Sequence, residues 1–347
     1  TELLEKMCPV HFEDNLIVPV NSTLIAGLEA GKHYNFHLTV GKDAVGISYV
    51  RVLDWDEEEI DGGVAEEVTP TIDLSKYTDG ETVNIAEDCR VIGDGNEYNL
   101  TLNVTDDAKV TFAAGASGVK LAAPITVADG KTLTLTIRDN VEHIVNGGIS
   151  LGNGSNVIIE GERNKENNKL TVTATGGNAG IGANNGVTAG DITIRNARVV
   201  ATGSSTSDES IDLVCGAGIG TSNGSMGNIL IENSIIVAEG GYYEYETPAP
   251  AIGMGEKNGI MGDITIVDSE ITATNNGEGF ASVIGAIDND GIGTMGDIVI
   301  TNCELNLTMV ITEADWYGAF IGPGLGGSST QFNMGKIIFT DMTQEQL

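Results

Sequence analysis

Apolar and polar positions alternate with period two along the second half of the chain, and the alternation returns at a nearly fixed interval. Five runs carry it: Gly190–Asn196 (GDITIRN), Gly227–Asn233 (GNILIEN), Gly262–Asp268 (GDITIVD), Gly296–Asn302 (GDIVITN) and Gly335–Asp341 (GKIIFTD). Successive side chains of a strand point to opposite faces, so each run predicts a strand with one buried face. Ahead of every run stands a short glycine-bearing motif: Ala179–Gly182, Ala217–Gly220, Ala251–Gly253, Val283–Gly285 and Phe320–Gly322. The first four runs continue into a third apolar stretch: Ala197–Thr202, Ser234–Glu239, Ser269–Thr274 and Cys303–Thr308. Three short strands recurring every 32–39 residues mark a stacked repeat, in which each coil contacts only its neighbours.

Alternation also assigns the core. Ile192/Ile194, Ile229/Ile231, Ile264/Ile266, Ile298/Ile300 and Ile337/Phe339 are expected to point inward, joined past the bend by Val199, Ile236, Ile271 and Leu305. The intervening Asp191/Thr193, Asn228/Leu230, Asp263/Thr265, Asp297/Val299 and Lys336/Ile338 face the other way. Stacked coils would align the inward set into aliphatic ladders ~4.8 Å apart. At the bend stand Asn196, Asn233, Asp268, Asn302 and Asp341, residue types that tolerate the left-handed conformation of a sharp corner. Met226, Met261, Met295 and Met334, each just before the repeat glycine, predict a further stack of gap-filling side chains.

Upstream the rungs begin at Val68 and are shorter. Aligning Lys109–Phe112, Lys131–Leu135, Asn156–Ile159 and Asp191–Ile194 gives offsets of 22, 25 and 35 residues. The later lengthening must therefore lie in loops. The expected fold class is all-β: a right-handed parallel β-helix, a three-sheet solenoid over residues 68–347. A leucine-rich repeat would need its Leu/Asn consensus and a propeller four strands per blade. The rungs resemble β-helix surface and carbohydrate-binding proteins of secreted bacterial origin, in which AGIG-type repeats are common.

Residues 1–60 differ in texture. Leu16–Val20, His33–Val40 and Gly46–Leu53 read as antiparallel strands, too few for a complete sandwich, so a partial antiparallel β-sandwich is expected ahead of the helix. The run Leu28–Val40 (LEAGKHYNFHLTV), then Gly41-Lys42 and Val50–Trp55 (VRVLDW), resembles the closing strands of fimbrillin-type pilus and adhesion proteins. That resemblance implies a product secreted or held at the bacterial cell surface, with pilus or anchor subunits as partners. Thr1-Glu2-Leu3-Leu4 carries no signal-peptide pattern, and the chain reads as a processed or truncated product. The acidic stretch Asp54–Glu67, broken by Gly62-Gly63, separates the two parts, with residues 61–67 as linker. Its carboxylates offer a second reading as a calcium site.

Charge narrows the partners. A formal net charge of −33 repels nucleic acid and anionic membrane surfaces, and no apolar run of eighteen residues is present to span a bilayer. Cys8, Cys89, Cys215 and Cys303 are scattered without metal-type spacing. Cys303 fills the slot of Ala197, Ser234 and Ser269 and is expected to be a small core residue, not a nucleophile.

What the coils do not need is concentrated in the loops after the third strands: Gly203–Gly216, Gly240–Pro250, Asn275–Ala281 and Met309–Ala319. They connect equivalent points of successive coils and should emerge side by side on one flank. Every Tyr and Trp of the five-repeat region lies there: Tyr242, Tyr243, Tyr245, Trp316 and Tyr317, joined by Phe280. Carboxylates accompany them, among them Glu244, Glu246 and Asp315. Aromatic plates suit the apolar faces of sugar rings, and carboxylates accept their hydroxyls or hold calcium. The competing reading is that the rings cover the flank and pack one loop on the next. Enzymatic chemistry finds less support. The five repeats contain no histidine, and neither a paired Asp-Asp nor a Gly-His-Gly pattern occurs. The recurrence of Asp191, Asp263 and Asp297 at one coil position is first a structural matter. His143 stands alone and reads as an ordinary core or surface residue. The expectation is a non-enzymatic adhesin that binds a glycan or surface polysaccharide; a structural or pilus-assembly spacer comes next, a polysaccharide lyase or hydrolase third.

Overall fold

The computed structural model describes residues 32–40, 45–54, 66–67, 69–113, 117–205, 215–242, 248–255, 258–277, 281–287, 293–310, 318–324 and 333–343. The chain divides into two compact units, Thr1–Pro70 and Thr71–Leu347.

In the first unit Lys32–Val40 and Val45–Asp54 pair antiparallel, with Lys32 opposite Asp54 and Val40 opposite Val45. The register slips between His37 and Leu38, a bulge that bends the strand locally. Glu66–Glu67 lies parallel to Thr39 and Val40 on the other edge. Two of the three expected strands are thus present; Leu16–Val20 lies outside the described residues, as do residues 55–65 of the acidic stretch.

The second unit is a parallel β-helix of three long sheets. The first holds nine strands, from Thr82–Ile85 to Ile321–Pro323; the second ten, from Thr71–Asp73 to Ile337–Thr340; the third seven, from Lys120–Leu121 to Glu304–Met309. Equivalent residues of successive repeats stand beside each other: Ile192, Ile229, Ile264, Ile298 and Ile337 form one row. The first four of these are fully buried, as are Ile194, Ile231, Ile266 and Ile300. Removing one such side chain to alanine costs about 2–5 kcal/mol, so the rows hold the coils in register. A small extra sheet of two-residue strands, Ile260–Met261, Thr294–Met295 and Asn333–Met334, carries the methionine stack, and Met226 extends it through a bridge to Met261.

The corner row takes the expected conformation. Asn196, Asn233, Asp268, Asn302 and Asp341 have φ between 44° and 54°. Their side chains bond along the row: Asn233 Nδ2 donates to Asn196 Oδ1 at 2.5 Å and Asn302 Nδ2 to Asp268 Oδ1 at 2.7 Å. The glycine of each AGIG-like motif has its own reason. Gly182, Gly220, Gly253, Gly285 and Gly322 have φ of 124° to 144°, and a Cβ on Gly220 would fall on the carbonyl of Gly253 in the next coil. Only a residue without a side chain stacks there.

Two expectations need correction. In the early coils Lys109 pairs with Thr134, not Lys131, and Thr132 pairs with Asn156, so the offsets are 25, 24 and 35 residues instead of 22, 25 and 35. An odd shift in register reverses which face each residue occupies. The observed pairing sets buried Val110 beside buried Leu135 and Phe112 beside Ile137. Ile337 and Phe339 continue the inward rows but are 42% and 39% exposed, because no further coil among the described residues lies over them.

Candidate functional site

The described feet of the loops that follow the third strands share one flank. Gly203 N–H donates to Glu239 O at 2.9 Å and Gly240 N–H to Thr274 O at 3.2 Å, which carries coil-on-coil bonding past the strand ends. The first loop closes with Gly216 N–H on Ser204 O at 2.9 Å and an antiparallel bridge between Ser205 and Cys215. The second rests on it through Gly241 N–H to Gly216 O at 2.8 Å. In the third, buried Asn275 donates to the carbonyls of Ala281 and Ser282 and accepts from Gly277 N–H, and Asn276 bonds to Glu239 of the coil before. Loop feet therefore stack as regularly as the strands.

Of the nine expected ligand-binding residues, Tyr242 alone lies among the described residues. Its ring is half-buried and covers Gly277 of the following loop: a Cβ on that glycine would stand 2.5 Å from Tyr242 Cδ2, with Pro248 on the same spot. Tyr242 thus packs one loop against the next. Tyr243, Glu244, Tyr245, Glu246, Phe280, Asp315, Trp316 and Tyr317 lie outside the described residues.

The recurring acidic residues are part of the scaffold. Asn156 Oδ1 accepts from Asp191 N–H at 2.7 Å, Asp191 Oδ1 from Asn228 N–H at 2.6 Å, and Asn228 Oδ1 from Asp263 N–H at 2.9 Å. Asp263 and Asp297 continue the series to Asp297 and Lys336 at 2.8 and 2.6 Å. Each acceptor satisfies a backbone donor at the start of the next coil's strand. That is a structural use of a carboxylate.

His143 is buried in the third sheet. Its Nδ1 accepts from Val119 N–H at 3.0 Å, which leaves the ring proton on Nε2, 3.0 Å from Arg138 O. Phe112 packs beside it at 5.6 Å between ring centres. Burial holds the ring below the ordinary histidine range. Cys303 is fully buried and donates to Thr301 O at 3.1 Å, as Ser234 does to Glu232 O and Ser269 to Val267 O, both at 2.7 Å. Cys89 is likewise buried, and burial pushes its thiol up to about 11. Among the described residues no group of three or more His, Cys, Asp or Glu side chains could hold a metal ion, and no helix is long and apolar enough to cross a membrane.

A second irregularity was not anticipated. In the five-repeat region the second and third sheets are joined by a tight corner around one left-handed Asn or Asp. In the two preceding coils that corner widens to residues 138–141 and 161–168. Between them and the third sheet lies an open groove of about 430 Å³, whose charged border is Lys120, Lys169, Glu142 and Glu166, with Asn140, Asn167 and Ile144 beside them. Lys169 Nζ stands 3.0 Å from Glu142, whose carboxylate also accepts from Thr171 at 2.6 Å. Burial pushes the Glu142 carboxyl up, and the combined pull of the Thr171 hydroxyl and the Lys169 ammonium leaves it below its usual value. The clue in the sequence was the break in corner length, together with the basic residues that accompany it. The chain matches no known family, no curated protein and no solved structure.

Proposed function

We propose that the protein is a non-enzymatic adhesin of the bacterial cell surface or its surroundings, whose β-helix is a stiff mount for loops that recognise a glycan. The observation that carries this reading is the ordered stacking of the loop feet on one flank, beneath loops that hold every Tyr and Trp of the five repeats. Loops on a rigid scaffold are where recognition is commonly placed, and rings with an apolar face and polar tip suit sugars. The recurring carboxylates are occupied with backbone capping, which removes the most regular acidic row from consideration as catalytic machinery.

A glycan array, run with and without calcium, tests the proposal. Binding to at least one glycan class is expected, with loss on Tyr243→Ala and Trp316→Ala while the fold is kept. Neutral-glycan binding that survives both changes would remove the loop site. A structural spacer that joins pilus or anchor subunits is the second reading, favoured by Tyr242, whose ring is spent on loop packing. It requires that no glycan bind. Turnover of an acidic polysaccharide would displace both.

A further inference from the structure

We infer that the groove at the widened corners binds a carboxylate-bearing sugar, a terminal residue of an acidic glycan. The inference rests on the glycan-binding reading but places a second site at the opposite ends of the third-sheet strands, away from the aromatic loops. Lys120, Glu142 and Lys169 each begin a strand, in Lys120–Leu121, Glu142–Asn146 and Lys169–Thr173. Three consecutive coils thus bring them to one edge of the groove.

Three features make this a built site instead of a gap between turns. First, its walls are pinned. Arg163, in the wider corner, reaches across two further coils: its guanidinium donates to Asn233 Oδ1 at 2.6 Å and Asp268 O at 3.0 Å, and pairs with Glu270 at 2.8 Å. Arg198 Nε donates back to Arg163 O at 2.9 Å. Buried Asn168 ties the same corner to Ile137 O at 3.2 Å, and Asn167 N–H joins the two walls through Asn140 Oδ1 at 3.3 Å. A wall fixed in advance loses little freedom when a ligand arrives.

Second, the charges are unequal in their commitments. Lys169 is neutralised by Glu142, whereas Lys120 makes no ion pair or side-chain hydrogen bond among the described residues and lines the groove. Lys120 acts on Glu142 only through the field and Glu166 lines the same groove. Lys120 is therefore the groove cation without a direct partner among the described residues, and a ligand anion would sit on its side away from Glu166. Half-buried Ile144, directly beside Lys120 in the sheet, supplies an apolar surface for the C–H face of a sugar ring. The side chains of Asn140, Asn167 and Ser117 offer donors and acceptors for its hydroxyls. The groove volume falls within the ~300–1,000 Å³ of small-molecule sites.

Third, charge is distributed unevenly along the solenoid. Eleven of the 17 Lys and Arg residues fall between Lys76 and Arg198, and only Lys257 and Lys336 follow. Set against 15 Asp and Glu in residues 76–198 and 20 in residues 199–347, this leaves the early coils at a net −4 and the later ones at −18. An anionic sugar is therefore repelled far less at the early coils than at the later ones.

The test is titration of the whole chain, followed by nuclear magnetic resonance shifts or calorimetry, with a trisaccharide ending in glucuronate and its counterpart ending in glucose. The acidic sugar should bind, more weakly as salt is raised, and its neutral counterpart at least ~10-fold less well. Lys120→Ala should lose a similar factor, Lys120→Arg should retain most of the affinity, and Tyr243→Ala with Trp316→Ala should change nothing at this site. Equal affinity for the two sugars, or wild-type affinity in a folded Lys120→Ala protein, overturns the inference. If neutral glycans bind in a Tyr243- and Trp316-dependent way while the acidic sugar does not bind, only the groove assignment falls. Absence of every glycan interaction removes the parent reading as well.

Discussion

Asn233 combines two demands on one side chain, which makes it the sharpest test of how the coils are held. Its φ of 44° is left-handed; its Nδ2 donates to Asn196, and its Oδ1 accepts from Arg163. Alanine keeps a Cβ in that conformation, a penalty of about 1 kcal/mol relative to the tolerant Asn. It also loses both hydrogen bonds. The bond from Arg163 is charge-assisted but lies at the surface, so about 1 kcal/mol is a fair allowance, with about 0.5 kcal/mol for the amide pair. Asn233→Ala should therefore destabilise by about 2–3 kcal/mol, enough to lower the melting midpoint by roughly 5 °C. Asn233→Gly loses the same bonds but not the backbone penalty, offset in part by about 0.5–1 kcal/mol of extra chain entropy in the unfolded state. The glycine variant should be the more stable of the two by about 0.5 kcal/mol. Urea unfolding followed by circular dichroism measures both, and a cycle with Arg163→Ala should return a coupling of about 1 kcal/mol. An alanine variant as stable as wild type, or more stable than glycine, would refute the account of the corner row.

Further outcomes follow from the same structure. Gly220→Ala should cost more than ~3 kcal/mol, since its Cβ meets a neighbouring backbone carbonyl that cannot move aside without breaking the stack; a folded variant with a near-native melt would contradict this. His143 is held neutral by burial, so its folded value lies below the unfolded value of about 6.5. Its contribution is complete above that pH and shrinks as pH falls below it, because the unfolded chain then binds the proton more readily. Melts of wild type and His143→Gln from about pH 8 to about pH 5 should diverge most at high pH and converge on acidification; parallel curves would argue against it. Cys303→Ser should change stability by less than ~1 kcal/mol, given that serine makes the same i−2 carbonyl bond in two sister coils, and any large loss of function on this change would contradict its core role. The buried thiol of Cys89 should resist alkylation at neutral pH until urea unfolds the chain.

The later coils were legible because they repeat with few interruptions within the strands. Rows of isoleucine, the left-handed Asn and Asp corners, the glycine stack and the methionine row are each imposed by neighbour-on-neighbour packing, so five imperfect copies are enough to read them. The early coils were harder for a physical reason. Lys109 and Lys131 begin similar-looking runs, but solvent-facing lysines do not set register; the buried pairs Val110–Leu135 and Phe112–Ile137 do. Matching polar residues instead of inward ones produced an odd displacement and the wrong face. Tyr242 teaches a related point. Ring content marks a loop as unusual but does not distinguish a ring that meets a ligand from one that meets a glycine. The sign of packing lay in the next loop, at Gly277, whose missing Cβ makes room for the ring.

A solenoid also constrains where recognition can arise. Its coils are ~4.8 Å apart, closer than the width of a sugar ring with its hydroxyls, so an unbroken face offers no pocket: every site must come from a corner that departs from the repeat. Departures occur here at both ends of the third-sheet strands, with long loops at the strand ends and two widened corners at the strand starts. The first set is rich in aromatic and acidic residues; the second is pinned by Arg163 and faces a groove lined by Lys120, Lys169, Glu142 and Glu166. The two edges of one sheet thus differ in chemistry: aromatic and acidic at the strand ends, mixed in charge at the strand starts. Short corners throughout, like the one-residue bends of the last coils, would suffice to close the solenoid, so the lengthened turn clasped by Arg163 is an addition to what the fold itself requires. The entropic cost of ordering residues 161–168 is offset by those clasping bonds, which keep the wall of the proposed groove in place before any ligand arrives.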